Sequence, residues 1–241
     1  MKRRDFMLTC AASAILVHQR PGLLAAGAAA PEFHHRARLV DPGGHALRAS
    51  ELEPHRNYIF HYPYRATPCF LLDLGRATEL EVPLTTEDGR DYVWTGGTGP
   101  GRSIVAYAAI CAHRMSYPTE SVNFIAYRHG EVARHSDEGG TVSNVIKCCN
   151  EFSIYDPARG AAVVSGPAYQ PLTGILLEHD PGSDGLSAVG VIGGTLFRRF
   201  FEKYDLQLAL AWNGIENARA PVIDQAVVQP LDEYTANNVS C

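Results

Sequence analysis

Short apolar runs recur along the chain from about residue 36 onward. "NYIFHYP" (57–63), "PCFLLDL" (68–74), "SIVAYAAI" (103–110) and "FIAYR" (124–128) are rich in Val, Ile, Phe and Tyr. So are "VSNVIKC" (142–148), "AAVVSGP" (161–167), "GILLEHD" (174–180) and "LSAVGVIG" (186–193). Gly, Pro, Asp and Asn break the chain between them, as in "EDGRD", "GGTGPG" and "DPGSDG". Many short strands at close spacing predict an all-β chain, an antiparallel sandwich or barrel. One helix is predicted near 196–206, where Leu196, Phe197, Phe200, Phe201 and Tyr204 fall on one helical stripe. Beyond it "LQLALAW" reads as a strand and the rest of the tail as loop.

The first thirty residues break this pattern. Arg3 and Arg4 precede a short apolar run from Phe6 to Val17, and small residues at Ala28 to Ala30 offer an exit site. A charged start, a short apolar stretch and a small-residue exit define an export signal. The run is about a dozen residues, against the ~20 that a helix needs to span a bilayer. The paired arginines resemble a twin-arginine signal, a route taken by proteins that have already folded. The expected organisation is a signal over 1–30, a β domain over 31–195, and a helix and tail over 196–241. The expected location is periplasmic, with membrane attachment only if the signal stays uncleaved.

Composition narrows the function. The 241 residues are 46% apolar and 20% charged, a globular balance with room for a core without disulfide staples. A net charge of -5 gives no general case for nucleic-acid binding. "GGTGPG" leads into a strand rather than a helix, so it reads as a hairpin loop and not a phosphate cradle. His34 and His35 read as solvated. His61 and Cys69 fall in predicted strands and read as core or sheet-surface residues.

The chemistry gathers around cysteine. The six cysteines are Cys10, Cys69, Cys111, Cys148, Cys149 and Cys241, with no evenly spaced disulfide framework. Three of them join His113 in a "C-x-H … C-C" pattern. A Cys-x-His pair sets a thiolate and an imidazole at the two ends of one tight turn. Two such loops facing each other can grip a two-iron cluster, with thiolates on one iron and imidazoles on the other.

"CAH" at 111–113 followed by "KCCNEFSIYDP" at 147–157 resembles the two cluster-binding loops of Rieske [2Fe–2S] proteins, whose second loop reads C-P-C-H-G-S-x-Y-D. "SGPAYQPLTGILLE" is similar to the Gly-Pro segment and following strand of that family. "GPGRSIVAYAAICAH" and "FHYPYRATPCFLLDLG" look like its arsenite-oxidase small-subunit branch. The resemblance covers roughly 36–194. It implies a Rieske-like antiparallel sandwich with a cluster-binding subdomain inserted. It makes Cys111, His113 and Cys148 ligands, and gives Ser153 and Tyr155 the role of hydrogen-bond donors to cluster sulfur and ligand thiolate. Gly166 and Pro167 match the loop that covers the cluster. The implied role is one-electron transfer for a larger oxidoreductase subunit or a c-type cytochrome, not catalysis by the chain itself.

Three departures qualify that implication. Glu151 occupies the place of the second histidine ligand. Ser116 and Asn150 occupy the places of the two cysteines that form an inter-loop disulfide in the respiratory type. The insert between the loops is 34 residues long and carries His129 and His135. Three outcomes are open. A cluster is held with an unusual fourth ligand: Glu151, alternatively Cys149, or a histidine of the insert. Alternatively the scaffold survives without a cluster, its cysteines inert or paired as a disulfide, Cys111 with Cys148 or Cys149, and serves as a structural or binding subunit. In the third, Cys, Cys, His and Glu hold a mononuclear ion such as zinc.

Overall fold

A computed structural model describes residues 28–135 and 138–241, and the described residues form sixteen strands and four short α-helices. The export signal therefore lies, but for its last three positions, outside the described residues. β1 (Glu32–Val40), β2 (Tyr58–His61) and β3 (Pro68–Asp73) are followed by a hairpin of β4 (Val82–Thr85) and β5 (Asp91–Trp94), then by β6 (Ile104–Ala108). The next segment holds β7 (Ile125–Arg128), the short pair β8 (Val132–Ala133) and β9 (Thr141–Val142), then β10 (Val145–Cys148), β11 (Ile154–Asp156) and β12 (Ala162–Ser165). β13 (Gly174–Asp180) and β14 (Gly185–Ile192) return to the main sheet. The tail adds α1 (Leu196–Lys203), α2 (Asp205–Ala211), α3 (Ile215–Ala218), β15 (Asp224–Val227), β16 (Gln229–Pro230) and α4 (Leu231–Tyr234). The chain is mostly β, as the pattern of short apolar runs predicts.

The large sheet runs in the order β15-β1-β14-β13-β6-β3-β2-β16, and a smaller one in the order β12-β11-β10-β7. β3 and β6 lie at the middle of the large sheet and are apolar at nearly every position. Successive side chains of a strand point to opposite faces, so such runs require cover on both. Cys69, Leu71, Ala106 and Ala108 enter the core that also holds Phe197, Phe200 and Phe201 of α1. Phe70, Leu72, Val105 and Tyr107 enter a second core with Trp94 of the hairpin and Ile125, Ile146 and Tyr155 of the small sheet. The small sheet thus packs on the face of the large one opposite α1. Cys69 is fully buried and donates to the Tyr62 carbonyl at 3.0 Å; burial pushes its thiol pKa up.

Three local readings are corrected. "LQLALAW" belongs mainly to α2, not to a strand. Leu206 and Leu210, four apart, are 73% and 75% exposed while Leu208 is buried. The alternation of leucines is therefore not a sheet face, and Leu208 and Trp212 amides close helical bonds onto Tyr204 and Leu208 at 2.8 and 2.9 Å. The tail beyond is more than loop: β15 pairs parallel with β1, and β16 pairs with β2, so the tail supplies both edges of the large sheet. His34, expected in solvent, lies half-buried in β1 with its ring edge-on to Tyr62 and Tyr64. The "GGTGPG" segment is a loop between β5 and β6, with Thr98 bridging back to Ile104.

Candidate metal centre

The first loop starts where β6 runs out. Met115 donates its amide to the Cys111 carbonyl at 2.8 Å, and Cys111 donates to Ser116 at 2.9 Å, closing a tight turn over 111–116. The second loop leaves β10 at Cys148 and returns at Ser153, whose carbonyl accepts the Cys148 amide at 2.9 Å. Phe152, standing where the resembled pattern has glycine, adopts φ 60°. A third loop packs on the second at Gly166, whose φ is 84°. A Cβ there would meet the Phe152 carbonyl oxygen at 2.6 Å and Ser153 Cα at 2.9 Å. That close approach is open only to glycine.

These turns bring Cys111 and Cys148 together although 36 residues separate them. Both are buried, at 2% and 1% exposure, and both are free thiols. The neighbouring Cys148 thiol, and then the Tyr155 hydroxyl, pull the Cys111 thiol below its usual range, while Cys148 is pushed up by Cys111 and by burial. The Tyr155 hydroxyl accepts the Ala112 amide at 3.1 Å and lies 3.4 Å from Cys111 Sγ, so its own proton is free to donate to the sulfur.

The other two sequence-predicted ligands also meet. His113 Nδ1 lies 3.2 Å from Glu151 Oε2. The contact is close but not aligned as a hydrogen bond, which leaves the buried Nδ1 without a partner. The Ser153 hydroxyl is likewise buried and unpartnered. A buried polar group in that state costs roughly 1–3 kcal/mol, so the loops carry two groups that the protein alone does not satisfy. Glu151 is held from its other oxygen by Arg114, whose Nε donates to Oε1 at 2.7 Å. Arg114 is a site residue that sequence reasoning missed; an acid standing in a ligand's place was the signal to look for a cation beside it.

The candidate donors meet in pairs rather than at one point. A mononuclear site gathers three or four donors on one point. Among the described residues no three His, Cys, Asp or Glu side chains are gathered in that way. They come instead in two pairs, thiol with thiol and imidazole with carboxylate, and a two-iron centre divides its ligands between two metal atoms.

The remaining candidates are engaged otherwise. Cys149 is bonded to Cys241, with the two Cα atoms 5.6 Å apart, and in that state has no thiolate to offer. The disulfide left open between Cys111 and one of the vicinal cysteines is not formed: Cys149 is bonded to the tail, and Cys111 and Cys148 are free thiols. Ser116 and Asn150, at the places of the family's inter-loop disulfide, are joined by a hydrogen bond of 2.8 Å from Asn150 Nδ2 to Ser116 Oγ. His129 stacks on His55 at 3.8 Å and bonds Asn144 at 2.7 Å. The His135 amide donates to Ser165 Oγ, and its ring centroid lies 6.5 Å from that of Phe152. Gly166 donates its amide to Glu138.

No protein-family model matches the chain. Among solved structures it is similar to the soluble domain of the Rieske protein II from Sulfolobus acidocaldarius, at 22% identity and a TM-score of 0.43, over 66% of this chain and 78% of that one. Likeness at that level carries nothing about the site, whose reading rests on its own residues.

Proposed function

We propose that this chain is a Rieske-type electron-transfer protein whose [2Fe–2S] cluster is held by Cys111 and Cys148 on one iron and by His113 and Glu151 on the other. The observation that carries the reading is the pairing of donors across two loops, thiol with thiol and His113 with Glu151 at 3.2 Å. The cluster would supply a one-electron couple. The chain's own residues would bury the thiolate end, donate to it through Tyr155 and Ser153, and shape the cover at Gly166 and Pro167. Such a protein catalyses no bond chemistry alone. Its partner would be a larger oxidoreductase subunit or a c-type cytochrome. The finer resemblance, to arsenite-oxidase small subunits, would put the oxidised substrate on another chain. Arg3 and Arg4 support export by the twin-arginine route, which suits a protein loaded before it crosses the membrane.

One experiment tests loading and export together. The full chain, expressed in a host with intact iron–sulfur assembly, should be recovered brown from the periplasmic fraction, with two irons and two acid-labile sulfides per chain as the cluster formula demands. Replacing Arg3 and Arg4 by lysine should hold it in the cytoplasm. A colourless protein without iron or sulfide sinks the cluster reading; normal export of the lysine variant sinks the route. The engagement of Glu151 by Arg114 favours one second reading, a cluster-free scaffold acting as a binding or structural subunit, and the iron assay separates the two.

A further inference from the structure

Glu151 poses a charge problem for the proposed centre. An imidazole ligand is neutral, whereas a carboxylate adds a full negative charge beside a group that must accept an electron. A second feature of the same contact bears on this. Glu151 has two oxygens, and they are used differently: Oε1 takes the Arg114 Nε–H at 2.7 Å, while Oε2 faces His113 Nδ1 at 3.2 Å. Arg114 follows His113 directly on the first loop, so the guanidinium reaches across to the second loop at the very residue that departs from the family's pattern. Its backbone carbonyl accepts from Lys203 Nζ of α1, and the next carbonyl, of Met115, accepts the Tyr204 hydroxyl at 3.2 Å. The cation is therefore carried on a turn that α1 and the residue capping it hold from behind.

We propose that Arg114 is the positioning residue of this centre, holding Oε1 so that Oε2 is presented beside His113 and cancelling the charge that Glu151 brings. An arginine side chain brings a fixed positive charge, so beside the carboxylate the pair sums to zero, like the imidazole it replaces. Both side chains are partly exposed, at 59% and 39%, so solvent screens the pair and the effect on the reduction equilibrium is moderate rather than large. The inference rests on the cluster reading above and goes beyond it, since it assigns a role to a residue outside the ligand set.

The test is voltammetry of the loaded protein, with iron content measured alongside. R114Q should shift the one-electron reduction equilibrium at least fivefold toward the oxidised form, about 40 mV downward at ~59 mV per tenfold change. R114K, which keeps the charge, should recover most of the shift. In an E151H background the same R114Q change should move the potential by less than half as much, because without the carboxylate nothing holds the guanidinium beside the centre. Loss of iron in R114Q but not in R114K supports the positioning role by the other readout. An unchanged potential and iron content in R114Q overturns the proposal, and so does an equal shift in both backgrounds, which would make Arg114 a bystander charge. Wild-type protein without iron withdraws the cluster reading itself, and this inference with it, a result distinct from either.

Discussion

His61 sits at the end of β2 between the rings of Trp212 and Tyr234, with centroids 6.3 and 5.9 Å away. Burial removes water from the imidazolium and lowers its pKa from 6.5 to about 4. The folded protein therefore binds fewer protons than the unfolded chain between those two values, and the stability tied to His61 is lost as pH falls from about 6.5 toward 4. Part of the ring still meets solvent, so the loss by pH 4.5 should be about 1–2 kcal/mol rather than the full shift. Urea unfolding at pH 7 and pH 4.5 checks this: wild type should lose more stability than His61→Phe by that margin. Equal losses would mean the ring is solvated when folded. In the sequence, a histidine in an apolar strand run was legible as a core or sheet-surface residue. The aromatic partners did not, because both come from the tail, more than 150 residues away.

At the scale of elements, the three loops of the candidate centre differ in how legible they were. "CAH" and the Ser153–Tyr155–Asp156 run announced the first two, since residue type and spacing there are the chemistry. The third, at Gly166, was legible only through resemblance, and the contact that explains it is with backbone. Gly166→Ala should cost about 1–3 kcal/mol, because an L-residue is strained at its φ and its Cβ would overlap the Phe152 carbonyl. It should also loosen the second loop and speed iron loss from loaded protein. Thermal unfolding and an iron-release time course check both; an alanine variant as stable as wild type would mean the loops do not pack as described. Period-two counting failed at α2 for a related reason. Leucine spacing reports a sheet face only where a sheet is present to be faced, and the backbone there continues from α1 with its own helical bonds.

For the molecule as a whole, the β-rich class was readable because β3 and β6 are continuous apolar runs that demand cover on both faces. The cover itself was readable in part: the aromatic stripe of α1 was evident, while the closing of the sheet edges by β15 and β16 was not. Those strands are short and partly polar, and their pairing is long-range. Cys241 was invisible for the same reason. Nothing in its neighbourhood marks it as a partner for Cys149, 92 positions earlier.

The tail reaches that cysteine as a strap. Asn123 holds Asn238, the Arg128 guanidinium donates to Val239 at 2.8 Å, and the Val239 amide returns a bond to Asn123 at 2.9 Å before the disulfide closes. The thiol reductants customary in iron–sulfur work would therefore change the specimen under study. Opening a loop of that length should cost roughly 2–4 kcal/mol of stability, and it would release a thiol directly beside Cys148. Non-reducing alkylation of the unfolded chain, read by mass, should modify Cys69, Cys111 and Cys148, and Cys10 where the export signal is retained, but not Cys149 or Cys241, and a prior dithiothreitol step should add those two. If Cys149 and Cys241 also react without reductant, the strap is held by hydrogen bonds alone. If the disulfide is present, freedom from dithiothreitol becomes a condition for any measurement on the proposed cluster, and the bench chemistry must be chosen to suit the protein's far end as much as its candidate centre.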